Sequence, residues 1–141
     1  PAVSCGEENL LGLPGDPYAK ENILIHEFAH ALHQMALIQL DNSFQNQIEE
    51  CFKNSIKHNI WEGTYASSNV NEYWAEGVQS WFNTNRENDR DHAWINTREE
   101  LKKADPQLAN LIEKTLGNSE WRYQLPRNRN PQTTAPDLWA S

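Results

Sequence analysis

Ile23-Leu24-Ile25-His26-Glu27-Phe28-Ala29-His30-Ala31-Leu32-His33 is an apolar run with two histidines four residues apart and a glutamate directly after the first. The run continues to Leu40 without a glycine or proline and predicts one long helix, for which Asp16-Pro17 offers a cap and a first-turn proline. Residues four apart on a helix lie one turn apart on the same face. His26 and His30 can therefore aim both imidazoles at one ion, at about 2.0–2.1 Å from each nitrogen. Glu27 is turned about 100° further round the axis, beside such an ion rather than on it, where a carboxylate can take a proton from a water. A buried helix with two hydrogen-bonded histidines is the other reading of the same residues.

Two histidines are half of a catalytic zinc site, which takes three protein ligands and keeps a fourth position open. The stretch Asn69-Val70-Asn71-Glu72-Tyr73-Trp74-Ala75-Glu76-Gly77-Val78-Gln79-Ser80-Trp81-Phe82 reads as a second helix, capped by Asn69 or Asn71, with Trp74, Val78 and Trp81/Phe82 as its apolar stripe. Glu72 and Glu76 stand one turn apart on it. If this helix packs across the first, Glu72 can be the third ligand, and Glu76 can accept a hydrogen bond from the outer nitrogen of a ligand histidine. Solvated glutamates are the alternative, which fits less well among two tryptophans, a tyrosine and an alanine.

His26-Glu27-Phe28-Ala29-His30 followed 42 residues later by Glu72-Tyr73-Trp74-Ala75-Glu76 resembles the gluzincin metallopeptidases, most closely the family of the anthrax lethal factor catalytic domain. The resemblance covers residues 20–85, about half the chain. It implies a zincin-like domain, one catalytic Zn2+ held by His26, His30 and Glu72, a general base at Glu27, and Glu76 behind the ligands. It also implies a tyrosine seven residues before the third ligand, near the reacting carbonyl, where Tyr65 stands. A phenol there can donate a hydrogen bond to a developing oxyanion, whereas a tyrosine in an arbitrary loop more often packs its ring on the domain. The spacing departs from thermolysin-like and aminopeptidase-like gluzincins, whose third ligand lies closer to the box. Residues from about 86 onward carry no matching motif.

His33 is seven residues beyond His26, about 10.5 Å along a straight helix, too far to share its ion, and is expected in the cleft wall or behind the ligands. His58 and His92, in polar surroundings, are expected at the surface. The net charge of −8 disfavours nucleic acid and anionic membranes as partners. It would suit cationic peptides, and it equally serves solubility. The run from Ile23 to Leu40 is broken by His26, Glu27, His30, His33, Gln34 and Gln39, so no membrane span is expected. The partner expected is a peptide or protein substrate, and the chain is expected to be a monomer. Cys5 and Cys51 lack metal-site spacing, and either two free thiols or one disulfide is compatible with the sequence. A secreted, extracellular location follows from the resemblance more than from the cysteines, and the chain opens without a signal peptide.

The expected fold class is mostly α, formally α+β with a small or truncated sheet, in one zincin-like metallopeptidase domain over residues 1–123 and a loosely ordered tail over 124–141. Asn9–Leu13 is the candidate short strand. A helix over 41–57, a loop at 58–68 and a polar connector at 83–91 follow from composition and periodicity. Thr97 to Glu100 forms a capping box and Asp105-Pro106 opens another helix, with Leu108, Leu111, Ile112 and Leu116 on its buried face and Gly117 closing it. Only about 25 residues precede His26, too few for the sheet along whose edge zincin-like peptidases hold an extended substrate, so the expectation is either a sheet reduced to one or two strands or a missing upstream segment. The activity implied is a zinc-dependent peptidase, specifically an endopeptidase. The alternatives are a non-catalytic zinc-binding interaction domain and a zinc hydrolase of a non-peptide amide. An intact Glu27 argues against the first, since a structural zinc site needs no base beside it.

Overall fold

The computed structural model describes residues 2–86 and 92–129. The chain forms α1 (Glu7–Leu11), α2 (Ile23–Ala31), a π-helical stretch Leu32–Leu37, α3 (Ile38–Leu40), α4 (Phe44–Lys57), α5 (Val70–Trp81), α6 (Arg98–Ala104) and α7 (Pro106–Leu116). Short 3₁₀ turns occupy Tyr65–Ser67 and Pro126–Asn128. The fold is mostly helical, and no strand occurs among the described residues.

The small sheet is thus absent from the described residues, and the expected strand at Asn9–Leu13 is replaced by α1. Two acidic residues open that helix, and Gly12 closes it in the left-handed region at φ 65°, donating back to the Asn9 and Glu8 carbonyls. Asn9 then organises the descent into α2. Its amide donates to the Asp16 carboxylate and to the Tyr18 and Glu21 carbonyls, and its oxygen accepts the Ile23 N–H at 2.8 Å. Asp16 is spent on this turn, accepting the Tyr18 N–H at 2.8 Å, so it does not cap α2. Asn22 does, accepting from Ile25 N at 2.9 Å.

α5 is the central element, with every residue from Tyr73 to Trp81 buried, and α2, α4, α6 and α7 pack around it. Gly77 permits the contact with α7: a Cβ there would lie 2.5 Å from Leu108 Cδ2. Asn69 is the cap, accepting from Asn71 N and Glu72 N. Asp105 joins three elements, since its carboxylate takes the Trp61 indole N–H at 3.0 Å, the Tyr73 hydroxyl at 2.6 Å and the Leu108 N–H at 3.1 Å. Both oxygens of this buried carboxylate are hydrogen-bonded, the condition under which burying one is tolerable. The Thr97–Glu100 capping box forms as expected.

One further boundary changes. α4 begins at Phe44 rather than at 41, because Asp41 turns the chain by accepting the Ser43 N–H at 2.8 Å. In the connector expected at 83–91, Thr84 and Asn85 are buried, and residues 87–91 lie outside the described residues. Of the expected tail, residues 124–129 are described and residues 130–141 are not. No helix of the described residues is long and apolar enough to cross a membrane.

Candidate metal centre

α2 and α5 meet so that His26, His30 and Glu72 converge. His26 Nε2 and His30 Nε2 are 3.0 Å apart, and Glu72 Oε2 is 3.1 Å from the first and 3.3 Å from the second. Three donors bound to one tetrahedral zinc at about 2.0–2.1 Å lie about 3.3–3.4 Å from one another. The observed triangle is within a few tenths of an ångström of that, and two neutral imidazoles with one carboxylate are a donor set suited to zinc. These three are the one group of metal-ligating side chains found together among the described residues. Glu72 is the third residue of α5, where the helix N-terminus favours an anion.

Electrostatics marks the same triangle. Burial disfavours the Glu72 carboxylate, but its hydrogen bonds with His26 and His30 outweigh that and hold it down at about 2. Burial likewise disfavours charge on His26, and the bonds to Glu72 and Gln79 together with the field of Glu76 reverse it, raising its pKa above the ordinary value. Without a metal, the carboxylate and the imidazole stabilise each other as an ion pair.

Glu27 and Tyr65 flank the cluster. Glu27 lines a cavity of about 640 Å³ together with His26, Tyr65 and Glu76. It also borders a smaller hollow of about 260 Å³ with His30 and Glu72. Residues 2–6 contribute to both, Ala2 and Val3 to the smaller and Ser4, Cys5 and Gly6 to the larger. Tyr65 is 48% exposed, and its ring is roughly parallel to that of His26 with centroids 6.4 Å apart. Partial burial and the Glu72 carboxylate beside it push its phenol pKa up, so it remains a proton donor at neutral pH.

Glu76 lies behind the histidines, with Oε1 3.5 Å from His26 Nδ1 and Oε2 accepting from Asn85 Nδ2 at 2.7 Å. Burial pushes its carboxyl pKa up. A closer partner of that nitrogen escaped the sequence reading: Gln79 Oε1, 2.8 Å away. Seven residues past Glu72, it lies on the same helix face two turns on, and that spacing was its available signal.

Two histidines depart from expectation. His33 is not in the cleft. It is 2% exposed, its ring packs against both Phe44 and Trp74, and it bonds to Gln45 Oε1 at 3.0 Å. Burial lowers its pKa, so it is a neutral core residue. His92 is not at the surface: its side chain is 8% exposed, with Nε2 3.9 Å from both Glu21 and Glu76. His58 is exposed as expected, with Nδ1 at 2.8 Å from the Asn54 carbonyl. Cys5 and Cys51 are both free thiols.

Comparison of the chain with protein-family models, with curated proteins and with solved structures finds no match.

Proposed function

We propose that this protein is a zinc-dependent peptidase of gluzincin type, acting as an endopeptidase. The observation that carries the reading is the convergence of His26 Nε2, His30 Nε2 and Glu72 Oε2 to within 3.0–3.3 Å of one another, with Glu27 lining the cavity alongside. Zinc held by those three atoms would supply Lewis-acid polarisation of a carbonyl and a lowered pKa for water. Glu27 accepts the proton of the attacking water and returns it to the leaving amine nitrogen. Tyr65 donates its phenolic hydrogen to the oxyanion that develops on the scissile carbonyl. The cavity of about 640 Å³, bordered by residues 4–6, has room for a segment of peptide chain.

The test is metal analysis of the purified protein paired with cleavage of a peptide library, with and without chelator. Stoichiometric zinc and chelator-sensitive cleavage within peptide chains are expected. Zinc without any cleavage would favour a non-catalytic zinc-binding domain. Hydrolysis confined to non-peptide amides would move the assignment to another class of zinc hydrolase.

A further inference from the structure

We infer that Gln79 is the positioning residue that fixes His26 in its metal-binding tautomer, a task the sequence pattern assigns to Glu76. The inference rests on the zinc reading of the site and adds to it the device that holds one ligand in place.

Gln79 is 0% exposed, at the centre of the interface between α5 and the start of α2. Its amide nitrogen donates to the Asn22 carbonyl at 3.3 Å and to Glu21 Oε2 at 3.4 Å. A backbone carbonyl can only accept, and the Glu21 carboxylate already receives Arg86 Nε on its other oxygen. The amide therefore has one chemically sensible orientation: NH2 toward Asn22 and Glu21, oxygen toward His26. Chemistry thus settles an O/N assignment that shape alone leaves ambiguous.

With Oε1 facing it at 2.8 Å, His26 Nδ1 must carry a proton. The lone pair of the neutral ring is then on Nε2, the atom that faces His30 and Glu72. Glu76 is less well placed for the task, its nearer oxygen being 3.5 Å from Nδ1 and its other oxygen bound to Asn85. His30 has no comparable anchor, since its Nδ1 is buried without a hydrogen-bond partner among the described residues. Orientation of the donor set thus falls mainly on His26.

The amide also ties the ring to its own helix. The Asn22 carbonyl that receives Gln79 accepts the His26 N–H at 3.3 Å, and the Asn22 side chain caps α2. Gln79 thereby locks the imidazole to the first turn of α2 from across the interface. It does so with a neutral acceptor, adding no third carboxylate beside Glu21 and Glu76.

The experiment measures zinc affinity of the full chain by competition with a chromophoric chelator, for the parent and Gln79→Met. Methionine keeps the length and loses the acceptor. Gln79→Met should bind zinc roughly 10–100-fold more weakly, the usual cost of losing an outer partner of a ligand histidine. Circular dichroism of the zinc-free proteins checks that the variant folds. Nitrogen-15 NMR of the zinc-loaded parent reads the ring directly and needs no variant, with His26 Nδ1 expected to be protonated. A parent that binds no zinc defeats the proposed function itself. A parent that binds zinc, with Gln79→Met binding as tightly, overturns this inference alone. So does a His26 ring that meets the metal through Nδ1.

Discussion

The Trp74 indole N–H donates to the Ala29 carbonyl at 3.0 Å, so a buried residue of the central helix is bonded to α2 one residue before His30. Trp74 is two residues past Glu72 on α5, and its ring also packs edge-on against Phe44. A contact that helps fix the crossing of the two helices is therefore also one that helps set the distance between Glu72 and the histidines. Core packing and site geometry are one constraint here, because a shift of α5 along α2 moves Glu72 with it.

Metal binding should consequently report on folding. A ligand that binds only the folded state stabilises it by about 2.7 kcal/mol at a hundredfold excess over its dissociation constant. Thermal unfolding with added zinc should show a raised Tm that chelator reverses. Magnesium, which prefers octahedral oxygen sites, should have little effect. An unchanged Tm across a zinc titration would count against a metal centre.

Glu72→Ala and Glu76→Ala separate ligand from neighbour. Removing Glu72 leaves two histidines and should strip zinc after dialysis, abolishing cleavage. Removing Glu76 leaves all three donor atoms and the Gln79 contact, so zinc should be retained with affinity weakened by about tenfold or less. The reverse pattern would place the ligand one turn further along α5 and sink the donor set proposed for this site.

Glu27→Gln should retain zinc, since Glu27 is not among the converging donors, while losing turnover by roughly 10²–10⁴-fold, the usual contribution of a positioned general base. Parent-like cleavage would remove Glu27 from the chemistry.

Tyr65→Phe keeps the ring beside His26 and deletes the donor. It should lower kcat more than it raises KM, by up to the roughly 10²–10³-fold seen when one oxyanion donor is lost. Zinc content should not change. A folded variant with normal kcat would assign Tyr65 a packing role alone.

What was legible in the sequence was local. Asn69, Thr97 with Glu100, and Asp105 cap their helices through partners two or three residues away, so the pattern and the contact are read together. The pairing of His26 and His30 was legible because a helix repeats its face every turn, whereas Glu72, on another helix, was an expectation that rested on the resemblance. The start of α2 was not, because Asp16 is diverted into a local turn with Tyr18 N–H and is held there by Asn9 of α1. α1 itself left a signal in Glu7, Glu8 and Gly12, which the leucines around it obscured as a strand. The exchange of Glu76 for Gln79 at His26 depends on how far α5 is rotated about its axis. Spacing within one helix cannot set that angle. His92 meets Glu21 across 71 residues of sequence, and nothing near it in the chain announces the meeting.

The thiols supply a pH-dependent test away from the metal. Cys51 is half-buried on α4, and burial first, then the charges of Asp105 and Glu50, push its thiol up to about 11. The thiolate is the reactive form. At pH 8 a thiol of ordinary pKa, near 8.5, is about one-quarter ionised, whereas one near 11 is ionised in about one molecule in a thousand. Native Cys51 should therefore react with a disulfide reagent some hundreds of times more slowly than the same cysteine in the unfolded chain. Its rate should still climb about tenfold per pH unit between pH 7.5 and 9.5, where an ordinary thiol begins to level off. Cys5→Ser isolates the signal, and denaturation of the unreduced parent should release two thiols per chain. A plateau near pH 9 would contradict the burial of Cys51. Release of no thiols would mean that Cys5 and Cys51 are joined, and that the N-terminal segment bordering the cleft is tied to α4.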